Sequence, residues 1–199
     1  ITLHYNDQAL GLLAEDQLKL LWWNGTDWID AACGPYARDF VNNVLSVPIC
    51  HFSQFSLGGI IKIGLITSGP TYSDTGSGDW LAYQGLLRAQ NQLSITAKVY
   101  TSTDSSVYGS HLAQCANDGN ALCMGVGFEM NSPASDAAET YTTTKFAAID
   151  TSYDVAPDNL RGMQFDYKQA GYMAGTLAGL MTTNKVVGVV GGIPVKPVV

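Results

Sequence analysis

Residues 60–79 read Ile-Ile-Lys-Ile-Gly-Leu-Ile-Thr-Ser-Gly-Pro-Thr-Tyr-Ser-Asp-Thr-Gly-Ser-Gly-Asp, and Trp80 then opens a stretch with helical spacing. An almost unbroken apolar run followed by a turn-rich segment and a helix is the signature of a strand buried on both faces, as in a parallel sheet covered by helices. The same alternation continues downstream. Apolar runs at 95–100, 121–126, 145–149, 160–165 and 186–190 are separated by amphipathic stretches at 80–92, 107–118, 135–141 and 167–182. The pattern predicts an α/β fold with a doubly wound, mainly parallel sheet.

Upstream, the grammar differs. Leu18, Leu20 and Trp22 alternate with period two, Asn24-Gly25 follows, and Trp28-Ile29 resumes the apolar pattern, which reads as a β-hairpin. A second hairpin is expected with residues 39–41 and 44–49 paired across Asn42-Asn43. Short strands at regular spacing predict a small antiparallel β module of sandwich type over 1–58. The junction falls at Gly58-Gly59, read as a short permissive linker, and 59–199 form the α/β part.

Seventeen acids against ten Lys and Arg give the 199 residues a formal net charge of −7. Before the junction there are 6 acids and 2 bases (−4), and after it 11 acids and 8 bases (−3). Neither part carries the basic footprint of a nucleic-acid or anionic-membrane binder. No apolar stretch reaches the length of a bilayer span. The chain begins at Ile1 inside an apolar pattern and stops at Val199 without a closing helix, so it reads as a piece of something longer.

Four cysteines fall two to a part. Cys33 and Cys50 bracket the second hairpin, and Cys115 and Cys123 join a helix end to the next strand, so disulfides Cys33–Cys50 and Cys115–Cys123 are expected, in an oxidising compartment. Four buried thiols are the alternative. Spacings of 17 and 8 lack a CxxC pair, and His4, His51 and His111 are scattered, which argues against zinc.

No nucleophile elbow, metalloprotease helix or phosphate-binding loop motif is present. His111, on a predicted helix, reads as a solvated surface residue, and His51 as facing a sheet edge. Gly188-Val-Val-Gly-Gly192 lacks dinucleotide-loop spacing and is followed by Pro194 and Pro197, so it reads as a turn leaving a sheet. Cofactors are not expected.

The informative loop is 67–79, at the carboxyl end of the first parallel strand, where open α/β sheets bind ligands. Ser68, Asp74, Asp79 and Trp80 supply a hydroxyl, carboxylates and an aromatic face suited to a small polar ring compound. For Asp79 the competing reading is a helix N-cap, and for Trp80 packing on its own domain. One strand over, Phe128, Asn131 and Ser132 occupy the corresponding position and offer a second part of the same wall.

The segments Lys62-Ile-Gly-Leu-Ile-Thr67, Tyr83-Gln-Gly-Leu-Leu-Arg-Ala89, Met124-Gly-Val-Gly-Phe128, Lys145-Phe-Ala-Ala-Ile-Asp150, Gly171-Tyr-Met-Ala-Gly-Thr-Leu-Ala-Gly-Leu-Met181 and Lys185-Val-Val-Gly-Val-Val-Gly-Gly192 together resemble the first lobe of the basic membrane protein family. These are substrate-binding lipoproteins of ABC importers that include purine-nucleoside receptors. The resemblance implies one lobe of a two-lobed periplasmic-binding-protein fold that closes on its ligand by hinge motion, without catalysis. It implies a nucleoside-like ligand, a membrane permease as partner, and a place in the cell envelope or outside the cell. Two departures bear on specificity. Ser68 stands where nucleoside-binding members have Asp, and Ser77-Gly78-Asp79 with Trp80 replaces their Ser-Phe-Asn. Their acidic position after the Gly-x-Gly-Phe strand falls near Ser132, or at Asp136 with a gap.

Residues 1–58 resemble the closing β module of large bacterial extracellular surface proteins through Leu3-His-Tyr-Asn-Asp7, Trp22-Trp-Asn-Gly-Thr-Asp-Trp28 and His51-Phe-Ser-Gln-Phe-Ser-Leu57. A structural or adhesive surface protein with a vestigial lobe is the alternative function.

Overall fold

The computed structural model describes residues 1–59, 61–93 and 95–191. The upstream part holds six short strands: β1 (Thr2–His4), β2 (Lys19–Trp23), β3 (Trp28–Asp30), β4 (Ala37–Asp39), β5 (Val44–Ser46) and β6 (Phe55–Gly58). They form two three-stranded antiparallel sheets, ordered β1-β5-β4 and β3-β2-β6. The β2–β3 hairpin closes on Trp23 opposite Trp28, and its turn is pinned because the Asn24 side-chain oxygen accepts from the Thr26 and Asp27 amides. The β4–β5 hairpin closes on Asp39 opposite Val44, with the Asp39 carboxylate accepting from the Val41 and Asn42 amides. Leu20, Ala31 and Val47 form a shared buried cluster, with Trp22, Tyr36, Ile49 and Phe55 packed around it. A single helical turn, α1 (Asp7–Leu10), interrupts the strands after an Asn6 cap. The period-two reading anticipated no helix here.

Five parallel strands make the second architecture: β7 (Ile61–Ile66), β8 (Ile95–Tyr100), β9 (Leu122–Val126), β10 (Lys145–Ile149) and β11 (Leu160–Met163), in the order β11-β10-β9-β7-β8. Helices α2 (Gly78–Gln92), α3 (Tyr108–Asn117), α4 (Asn131–Thr140) and α5 (Tyr167–Met181) follow their strands. The apolar run of β7 is explained by its two faces. Leu65 points to Leu86 of α2 and Val126, whereas its neighbour Ile66 points to Tyr108 and Leu112 of α3, with Ala134 and Ala138 of α4 in the same cluster. Both Leu65 and Ile66 are fully buried, and each such side chain contributes about 1.5–3 kcal/mol to folding.

Two disulfides are present, Cys33–Cys50 and Cys115–Cys123, with Cα separations of 5.8 and 6.1 Å. The second ties α3 to β9 inside the core, where both cysteines are buried.

Three expectations need correction. The apolar run 186–190 is not a strand: it pairs with nothing among the described residues, and Val189 and Val190 are fully solvent-exposed. An apolar run makes burial favourable, but a strand also needs a neighbour to satisfy its amides and carbonyls, and none of the described residues supplies one. Gly192, Pro194 and Pro197, on which the turn reading partly rested, lie outside the described residues. The amphipathic stretch 167–182 does form α5, yet it buries no residue, and Tyr172, Met173, Leu177, Leu180 and Met181 face solvent. Finally, the Gly58-Gly59 junction is not slack. Gly58 still pairs with Lys19, and a Cβ on Gly59 would stand 2.6 Å from Leu13 Cδ1 and 2.7 Å from Gln17 O. Gln17 Nε2 in turn donates to Gly119 O at 3.0 Å, joining the upstream part to the turn before β9.

Candidate solute-binding wall

The chain runs from β7 outward to edge strand β8 and returns to β9 on the other side of β7. Such a reversal opens a crevice at the carboxyl ends of the two strands it separates, because their following helices leave on opposite faces. The register Ile66 opposite Gly125 brings the loops after β7 and β9 level, and a Cβ on Gly127 would lie 3.5 Å from Ser68 Cβ. Gly127 has φ of 99°, a conformation that favours glycine, and its amide donates to Ile149 O at 3.0 Å. Ser68 and the Gly127-Phe128 corner therefore meet at the crevice floor.

Asp79 organises the first loop. Its carboxylate is almost wholly buried and accepts from the Ser68 amide at 2.8 Å, the Ser68 hydroxyl at 2.9 Å and the Gly69 amide at 3.1 Å. The helix N-cap is Ser77, whose Oγ accepts from the Trp80 amide at 3.1 Å, so the N-cap reading of Asp79 does not hold. A cap needs its carboxylate to reach forward to the next helical amides. Asp79 reaches backward across the loop instead.

Tyr108, only 1% exposed, ties the two loops together by donating to the Ser68 carbonyl at 2.8 Å, with Glu129 Oε2 3.2 Å away. Burial, reinforced by the Glu129 charge, pushes its phenol up to about 12, so the hydroxyl stays protonated as a donor.

The other expected residues spread along the same edge. Asp74 is exposed and its carbonyl accepts from the Ser77 amide. Trp80 and Phe128 are half-buried, and Ser132 is exposed at the start of α4. Asn131 serves partly as scaffold: its Nδ2 donates to Ser152 O at 3.1 Å, and its carbonyl accepts from Tyr153 OH at 3.0 Å. Tyr108 and the 151–153 loop escaped sequence reasoning, since no local spacing signals contacts spanning 20 to 40 residues. His111 is half-buried rather than solvated, with Nδ1 3.2 Å from the buried Ser102 Oγ. His51 packs edge-on against Trp22 at 4.4 Å between ring centroids.

A cleft of about 460 Å³ lies at the opposite pole, between the segment Gly11 to Gln17 and the strand starts near Asn120 and Lys145. Ligand-binding groups of parallel sheets gather at strand carboxyl ends, so the crevice at Ser68 is the better candidate although it is an open wall. Among the described residues no three His, Cys, Asp or Glu side chains could share a metal ion, and no helix is long and apolar enough to cross a membrane.

Basic membrane protein A of Borreliella burgdorferi is 30% identical over 141 residues, covering 69% of this chain and 41% of that protein. An ABC transporter solute-binding protein from Aeropyrum pernix K1 superposes with a TM-score of 0.56 at 24% identity, over 60% of this chain and 32% of its own. A transcriptional activator of the comK gene from Bacillus halodurans superposes at 0.52 with 22% identity, over 68% and 46% of the two chains. At these identities the solved structures speak for fold alone, which serves more than one function. The chain spans about two fifths of the curated relative's length. Residues 60–199 match the family described as ABC transporter substrate-binding protein PnrA-like, and the chain belongs to that family.

Proposed function

We propose that residues 59–199 are a substrate-binding lobe whose strand-end edge forms one wall of a solute cleft, serving an ABC importer without catalysis. The ligand is a small polar ring compound of nucleoside type. Ser68, Asp74, Trp80, Phe128 and Ser132 face it, while Asp79 and Asn131 hold the loops. The observation that carries this reading is the meeting of Ser68 with the Gly127-Phe128 corner at the point where strand order reverses. Half-buried aromatic faces beside exposed hydroxyls and a carboxylate match a ring with polar substituents. A membrane permease is the expected partner. Two disulfides fit a site at the cell envelope or outside the cell. Residues 1–58 form a separate β module carried at the other pole of the lobe.

Saturation-transfer NMR with purine nucleosides tests the ligand class and suits the weak affinity of a single wall. Nucleoside ring protons are expected to receive saturation, and Trp80→Ala is expected to abolish it. The absence of transfer to any nucleoside or related polar ring solute would sink the assignment.

A further inference from the structure

In many open α/β proteins the first strand-end loop grips an anion, because loop amides and the following helix N-terminus point at the ligand. Here that set of donors is filled from within. Asp79, 6% exposed, takes the Ser68 and Gly69 amides and the Ser68 hydroxyl. Its place in the first turn of α2 puts the carboxylate at the positive end of the helix dipole, where an external anion would otherwise sit. The Trp80 amide is already taken by Ser77 Oγ.

The surrounding charge points the same way. The loops after β7, β8 and β9, residues 67–77, 101–107 and 127–130, contain Asp74, Asp104 and Glu129 and neither lysine nor arginine, while Arg161 and Lys168 lie toward the β10–β11 edge, where Arg161 lines a pocket with the 151–156 segment. Lys62 and Lys145 stand at the opposite ends of their strands, and Lys98 is paired with Asp118, beyond the end of α3. A crevice rimmed by one sign of charge raises the local concentration of neutral and cationic solutes relative to anions.

We infer that Asp79 is a specificity-determining residue: it occupies the anion position of the β7–α2 loop with the chain's own carboxylate, so that the site takes neutral or cationic solutes and rejects phosphorylated ones. The inference rests on reading the strand-end wall as the solute site. Asp79 is a positioning residue, acting through Ser68 and Gly69 rather than by touching the solute.

Amide NMR of the whole 199-residue chain titrated with inorganic phosphate tests it. In the unsubstituted protein the Ser68 and Gly69 resonances stay in place. In Asp79→Ala both amides are released and phosphate shifts them saturably, a gain of binding that a merely structural role would not produce. A saturable phosphate shift at these amides in the unsubstituted protein, or none in a folded Asp79→Ala, overturns the inference. A second arm avoids the variant: adenosine monophosphate should bind the unsubstituted protein at least about tenfold more weakly than adenosine, the effect of modest like-charge repulsion. Equal or tighter binding of the monophosphate also overturns it. If neither probe binds, the nucleoside assignment falls while the phosphate titration still decides the role of Asp79.

Discussion

Gly64 lies directly against Cys115: a β carbon at Gly64 would collide with Cys115 Sγ and come within 3.0 Å of Tyr100 Cε2. Gly64 also pairs with Cys123, the disulfide partner of Cys115, in the β7–β9 register. The bare backbone of β7 is thus the floor on which α3 is stapled to β9. Gly64→Ala should cost about 1–3 kcal/mol by overpacking, read as a lower urea midpoint at unchanged slope. Because the sulfur is the obstacle, the cost of Gly64→Ala should fall when Cys115 is also replaced by Ala. Strictly additive effects in that double-mutant cycle would contradict the contact.

The two disulfides should respond differently to reductant, because Cys33 and Cys50 are exposed whereas Cys115 and Cys123 are fully buried. Mild reduction of the folded protein followed by alkylation should label two thiols, both in the β module, and four only after unfolding. Mass spectrometry of the labelled peptides reads this directly. Simultaneous labelling of all four in the folded state would show that α3 opens from β9 far more readily than its packing implies. Replacing Cys115 and Cys123 by Ala is expected to lower stability by about 2–3 kcal/mol, the loop-closure value for so short a loop.

Tyr108→Phe keeps the buried ring and removes the hydroxyl that holds the Ser68 carbonyl beside Glu129. Loss of one such bond should destabilise the protein by about 1 kcal/mol. The larger consequence is local. Amide exchange at residues 67–69 and 128–130 should quicken well beyond what the global loss explains, since Tyr108 bridges the two loops. Uniform acceleration across the sheet would instead mean that Tyr108 serves only the core.

Alkaline titration should expose the buried phenols. Tyr36, Tyr108 and Tyr153 are each pushed up to about 12, by burial first, with hydrogen bonding to Asp30 adding for Tyr36 and the Glu129 charge for Tyr108. An unfolded tyrosine ionises near about 10. For an acid raised in the fold, the neutral form is the one the fold holds, so its contribution is complete below about pH 10 and is lost as pH climbs through about 12. Ultraviolet difference absorbance should therefore show exposed tyrosines ionising first and a late group rising together with unfolding. A single ionisation near 10 with the fold intact would refute these environments.

Much of the parallel sheet is legible in the sequence because burial on both faces leaves a nearly continuous apolar run, and 61–66, 122–126 and 145–149 carry one, whereas edge strand β8 at 95–100 is interrupted by exposed Thr96 and Lys98. The run at 186–190 carries the same pattern and pairs with nothing described. Hydrophobicity states what a segment would gain by burial, while pairing depends on which neighbour the chain delivers. The site shows the same division. Ser68, Asp79 and Phe128 are recognisable because they follow strand ends, a position fixed by local order. The direction in which Asp79 points is not recognisable, because its partners lie 10 and 11 residues back across a loop whose path no periodicity describes. Tyr108, 40 residues from Ser68, is invisible for the same reason.

The reversal of strand order at β7 has a consequence for how such a protein can change. The crevice is produced by routing: α2 leaves toward one face of the sheet and α3 toward the other. The strands carry the register and the loops carry the chemistry, in separate stretches of chain. Residues 70–76 can therefore be rewritten one at a time with little penalty to the pairing of Ile61–Ile66 with its two neighbours. Selectivity can drift on this scaffold faster than architecture, and differences in solute among related chains should concentrate in the first loop while the sheet stays the same.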